Sequence, residues 1–126
     1  MKFIKYNANP YLRNTEDCAI RAISKALNKP WKDVLMELTQ LGASMGYMPN
    51  NRTVTTKYLK SKGWTWHRGD KRRMKDYHFK STHIVQLHSN KVFRSGHLTY
   101  CDDGIIYDTW NCEGYKVDGY FNPPKK

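Results

Sequence analysis

Cys18, His97 and Asp108 are of the types, and in the chain order, that nucleophilic catalysis uses. Cys18 stands in "NTEDCAIRAI", residues 14–23, directly after a run of helix-capping residues. A thiol at a helix start feels the positive end of the dipole, which lowers its pKa and favours the reactive thiolate. A structural cysteine would sit equally well one turn later, on the apolar face. His97 and Asp108 stand in "GHLTYCDDGIIYDTW", residues 96–110. There Asp103-Gly104 is a two-residue hairpin signal. With that pair in the loop, Asp102 faces Ile105, Cys101 faces Ile106, Thr99 faces Asp108 and His97 faces Trp110. Opposed and alternate residues share a sheet face, so His97, Thr99, Asp108 and Trp110 gather on one side. His97 and Asp108 are then diagonal neighbours, and a one-residue slip would part them. A carboxylate beside an imidazole fixes its tautomer and stabilises the imidazolium. The imidazolium in turn stabilises a thiolate, the species that attacks carbonyls. Spacing alone also admits plainer roles: Cys18 as a small buried apolar group, His97 as a packing residue, and Asp108 with no task.

The elements that must position these residues are readable from periodicity. Ala19, Ala22, Ile23, Ala26 and Leu27 recur on one helical face, which predicts a first helix over about 16–27. Asn14, Thr15 and Asp17 are its cap candidates, Asn28 ends it and Pro30 follows. A second helix opens at Pro30-Trp31 with Trp31, Val34, Leu35, Leu38 and Leu41 as its buried stripe, and Gly42 as its stop. "GASMGYMPNNR" reads as a loop. A third helix, "TVTTKYLKSKG", carries Val54, Tyr58 and Leu59 inward and is capped by Gly63. Strands follow in "WTWH", "THIVQLH", the two arms of the Asp103-Gly104 hairpin, and "YKVDGYF". "RGDKRRMKDYHFK" between them is basic and aperiodic. Residues 1–13 read as extended or irregular, with a turn at Asn9-Pro10. Helices first and strands later predict an α+β fold with an antiparallel C-terminal sheet. One domain over 1–126 is expected, helical over about 14–63 and sheet over about 64–121.

Charge is unevenly placed. The chain of 126 residues carries a net charge of +11. Residues 51–94 hold twelve Lys/Arg against two Asp/Glu, whereas 95–126 are net acidic. So basic a segment suits an acidic protein or nucleic acid, and it equally suits a plain solvated face. No apolar run approaches a membrane span, and the N-terminal residues do not read as a secretory signal. A cytoplasmic setting, with no membrane partner, is the expectation. Cys18, Cys101 and Cys112 are odd in number and include no CxxC pair, so neither a disulfide framework nor a zinc site is expected. Cys101 shares the His97 face by parity but neighbours Asp102 and Asp103, which oppose its ionisation. Cys112 lies past the strand with no base assigned to it, and His67, His78, His83 and His88 have no inferred partner.

The residues quoted above resemble the papain-like cysteine peptidase superfamily, most closely its compact bacterial and phage members related to the C39 bacteriocin-processing peptidases. "DCAIRAISKAL" is similar to the Asp-Cys start of the C39 nucleophile helix, and "GHLTYCDDGIIYDTW" to the unit of His strand, turn and Asp strand. "DTW" is similar to papain's Asn-Ser-Trp, which gives Trp110 the role of shielding the His–Asp contact. The overall pattern also resembles small phage- or prophage-encoded proteins. The resemblance covers roughly 14–27 and 95–111, with the helix-then-sheet order between them. It implies a papain-like fold, a Cys18–His97–Asp108 triad and a bacterial host cell as setting. It also implies hydrolysis of a peptide, isopeptide or amide bond without a metal or organic cofactor. One departure stands out. These families usually place a glutamine, whose amide completes the oxyanion hole, where this chain has Leu12. Asn14 is the nearest amide that could substitute, or it is simply a helix cap. Asp17 beside the thiol opposes thiolate formation unless it turns away, for instance to Arg21 at i+4. The alternative expectation is a catalytically lapsed fold that binds nucleic acid or an acidic host factor through 51–94.

Overall fold

The computed structural model describes residues 1–91 and 96–125. Residues 92–95 and 126, which include the end of the basic segment and the serine leading into His97, lie outside the described residues. Three helices, α1 (Cys18–Leu27), α2 (Trp31–Met45) and α3 (Arg52–Ser61), precede most of the sheet. The strands are β1 (Lys2–Lys5), β2 (Thr65–Arg68), β3 (His83–Leu87), β4 (His97–Asp102), β5 (Ile105–Asp108) and β6 (Val117–Asn122), in one sheet of order β1-β5-β4-β3-β6-β2. This is a mixed α+β architecture.

The sheet is not wholly antiparallel as expected. β1 adds at the edge parallel to β5, with Lys2 opposite Ile105 and Lys5 opposite Asp108. Within the segment read as extended or irregular, Lys2–Lys5 is therefore a strand. Parallel pairing leaves no local turn signal, and "KFIK" buries only one side: Phe3 packs inward while Ile4 is 46% exposed. The remaining pairs are antiparallel, and Asp102↔Ile105, Cys101↔Ile106 and Tyr100↔Tyr107 follow the register set by the Asp103-Gly104 turn.

Two helix boundaries also differ. α1 starts at Cys18 because Glu16 takes a left-handed φ of 56° and Asp17 is a non-helical N-cap. α2 runs through Gly42 to Met45 and ends at Gly46. Gly42 serves packing instead of termination: a Cβ there would lie 2.5 Å from the Tyr47 carbonyl oxygen, whose chain folds back to donate its N–H to Gly42 O at 2.9 Å. A short 3₁₀ turn, Met74–Tyr77, sits within the basic stretch.

Each face of the sheet carries its own apolar cluster. On one, Ile23, Val34, Leu38, Val54 and Leu59 of the helices bury against Ile84, Leu98, Tyr100 and Phe121. On the other, the connections on either side of β3–β5 fold over Val85, Leu87, Cys101, Ile106 and Val117 with Met74, Phe79 and Cys112. Period-two alternation thus splits β4. Leu98 and Tyr100 face the helices, while His97, Thr99 and Cys101 share the opposite parity.

Candidate active site

α1 brings its first residue, the half-buried Cys18, to the start of β4. No side chain caps the helix: the Asp17 carboxylate is drawn away into an ion pair with Arg21 and accepts from Trp31 Nε1 at 2.8 Å. Asp17 therefore turns from the thiol, and the first-turn N–H groups keep their positive field beside Cys18.

The His97 Nε2–Asp108 Oδ2 distance is 2.7 Å, with both residues about 5% exposed or less. The His97 ring also acts on the Cys18 thiol, whose pKa it lowers. Trp110 covers it, ring centroids 5.1 Å apart. Asp108 gathers further donors: Thr99 Oγ1 at 2.6 Å, the Thr109 N–H at 2.6 Å and Arg21 Nη2 at 3.4 Å. So the structure brings Cys18, His97, Asp108 and Trp110 together. Asn14 is exposed and makes no side-chain hydrogen bond among the described residues, and the N-cap position belongs to Asp17.

Electrostatics follow from these contacts. Burial pushes the Cys18 thiol up, but the His97 hydrogen bond and charge, the Leu98 N–H and the nearby Arg21 outweigh it and hold the thiol below its ordinary range. Burial disfavours the His97 cation, yet Asp108, Cys112 and Cys18 raise its pKa to about 11. Burial likewise works against the Asp108 anion, and His97, Thr99 and the Thr109 N–H overcome it, keeping the carboxyl below its usual range. The state these groups favour is thiolate, imidazolium and carboxylate in sequence. Cys101 is the contrast: burial, Cys112 and Asp102 push its thiol up to about 12.

Sequence reasoning left Cys112 without a base. It is fully buried against the site, with Sγ 4.0 Å from Asp108 Oδ2. One ligand-type atom each from His97, Asp108 and Cys112 lies within 4.8 Å of the others. The only sequence signal was the four-residue step from Asp108, and a step outside a strand or helix carries no direction. Arg21 was foreseen as a partner of Asp17, but its reach to Asp108 depends on how α1 crosses the sheet.

Comparison with family models, curated proteins and solved structures gives no match, so the reading of this site rests on its own geometry.

Proposed function

We propose that this chain is a compact, C39-like papain-type thiol hydrolase of phage or bacterial origin, acting on a peptide, isopeptide or amide bond. The observation that carries the reading is the buried His97–Asp108 pair at 2.7 Å, whose imidazole lowers the pKa of a thiol on the first residue of an uncapped helix. Cys18 attacks the carbonyl, His97 gives its proton to the leaving group, and Asp108 holds the ring and its charge. The Cys18 N–H is one oxyanion donor. Asn14 becomes a second if it folds over the thiol when substrate binds. Without it, the loss of one such donor costs roughly 100- to 1,000-fold in rate, which makes a slow enzyme. A cytoplasmic site of action in the host cell belongs to the same proposal. No helix among the described residues is long and apolar enough to cross a membrane.

The test is iodoacetamide labelling across pH, with modified cysteines mapped by mass spectrometry, beside His97→Ala. Cys18 is expected to label well below pH 8, ahead of Cys101 and Cys112, and His97→Ala to slow it. A Cys18 that labels no faster than a free thiol overturns the reading.

A second reading, capture of an acidic macromolecule, draws on a different surface. A groove of about 470 Å³ is lined by Arg52, Trp66, Arg68 and Lys71 together with the carboxylates of Asp70 and Asp118, and a second of about 480 Å³, without a carboxylate in its lining, by Arg52, Lys57 and Lys60 among others. Arg52 stacks over Trp66 at 5.4 Å. The two readings coexist if this surface recruits an acidic substrate.

A further inference from the structure

We propose that His97, Asp108 and Cys112 form a site for a soft divalent cation of the zinc type, and that filling it silences Cys18. The silencing rests on the thiol-hydrolase reading above; the metal site does not. The donors are one imidazole nitrogen, one carboxylate oxygen and one sulfur, a set that zinc accepts. They are already close, at 2.7 Å between His97 Nε2 and Asp108 Oδ2 and 4.0 Å between Cys112 Sγ and that oxygen. Bonds of about 2.0 Å to N and O and about 2.3 Å to S set tetrahedral ligand edges of roughly 3.3–3.6 Å. The three atoms need shifts of about 1 Å to reach that shape.

Charge favours the same conclusion. All three residues are buried. A dication with one thiolate, one carboxylate and a neutral imidazole sums to zero, so no unpaired charge stays in the interior. Thr99 Oγ1 and the Thr109 N–H already orient the carboxylate, as outer partners of a metal ligand do. Three protein ligands leave the fourth tetrahedral position open.

The consequence for Cys18 follows from the shared imidazole. A metal on His97 Nε2 takes the atom that Asp108 now holds, so a filled site breaks the His97–Asp108 contact on which the thiol site depends. Cys112 thus has a use that the hydrolytic chemistry leaves unassigned.

Cobalt(II) titration of the chain bearing Cys18→Ser and Cys101→Ser tests the site, because Cys112 is then the sole thiol. The expected result is a thiolate-to-cobalt charge-transfer band saturating at one ion per chain and displaced by zinc. Adding Cys112→Ser should abolish it. Exposed histidines such as His67 and His88 can bind cobalt but give no such band. Absence of the band, or its persistence without Cys112, overturns the site. In the chain with all three thiols, zinc should slow Cys18 alkylation at pH 7 at least tenfold, and a chelator should restore it. Equal inhibition of Cys112→Ser would place the metal on Cys18 and His97 and overturn the proposal. The band is read in a chain without Cys18, so its loss says nothing of the hydrolase reading. A metal-free Cys18 of ordinary reactivity sinks that reading and leaves the cobalt result standing.

Discussion

Asp108 receives the His97 ring, a threonine hydroxyl, a backbone N–H and the end of a buried arginine, and this crowding makes it the residue on which the site's charge depends. An amide there keeps the shape and loses the charge. Asp108→Asn should lower the His97 pKa and raise that of Cys18. Since each pKa unit changes the thiolate fraction about tenfold, alkylation of Cys18 at pH 6 should slow roughly tenfold or more. The deficit should shrink above pH 9, where any thiol ionises. Equal rates at pH 6 would mean that the thiolate owes nothing to the carboxylate. The same pair makes a stability prediction, best read with Cys18→Ser so that the thiol does not titrate. With Cys18 present the folded His97 pKa is raised to about 11; Cys18→Ser removes one of the groups that raise it and leaves Asp108, so the His97 stabilisation is complete below about 6.5 and is lost as pH rises through the folded value. The folded Asp108 pKa is depressed, so its stabilisation is present above about 4 and is lost as pH falls through the folded value. Urea midpoints should show the pair's contribution, taken as the difference from His97→Ala, greatest between about pH 4 and 6.5. A difference flat from pH 3 to 10 would contradict it. His97 and Asp108 were legible as a pair because one turn and the period of two locate both. Cys112 was not, because past Asp108 the chain leaves the strand and the period with it.

At the scale of the elements, the site depends on where three ends meet: the start of α1, the start of β4 and the end of β5. The two strand ends were legible through their own hairpin. α1 was legible from its apolar face, although its first turn was placed two residues early because Glu16 and Asp17 have the composition of a helix start without its dihedrals. β1 escaped notice because a four-residue edge strand is specified by its partner β5 instead of by its own pattern. The approach to β4 runs through Gly96, which takes a left-handed φ of 83°. A Cβ there would stand 2.7 Å from Gln86 Nε2 and 2.8 Å from the Leu87 carbonyl oxygen. The amide can swing away, but the carbonyl belongs to the paired strand β3 and cannot. Gly96→Ala should therefore cost about 1–2 kcal/mol in backbone conformation, with the clash added to it. Because His97 is the next residue, Cys18 alkylation at pH 7 should slow as well. Urea denaturation reads the first effect and mass spectrometry the second. An alanine variant that matches the wild type in both would show that this approach does not position the histidine.

Across the whole molecule, charge and chemistry occupy different parts of one sheet. The thiol site lies at β4 and β5, towards the β1 edge, while α3 and β2 at the far edge carry the exposed Lys57, Lys60 and Arg68. Three interstrand steps separate β4 from β2, or about 14 Å at roughly 4.8 Å each. The excess of cations was legible from composition. Its concentration in 51–94 was legible too, but its distance from the thiol site was not, because only the sheet order puts β2 beside β6 and remote from β5. Part of the excess is already engaged: Lys71 and Arg52 both pair with Asp118. Lys57, Lys60 and Arg68 form no ion pair among the described residues, so their charge is available to a partner. For a single-stranded oligonucleotide, each neutralised phosphate contributes about 0.7 to the slope of log affinity against log salt. Replacing all three by Glu should therefore weaken binding and reduce that slope by about 2. Cys18 alkylation should be unchanged in the same variant and nearly independent of salt, because the site's charges are buried and unscreened. A triple variant that binds with the wild-type slope would assign the affinity to other cations. One that loses Cys18 reactivity along with binding would mean that the two regions are coupled through the intervening strands instead of being independent.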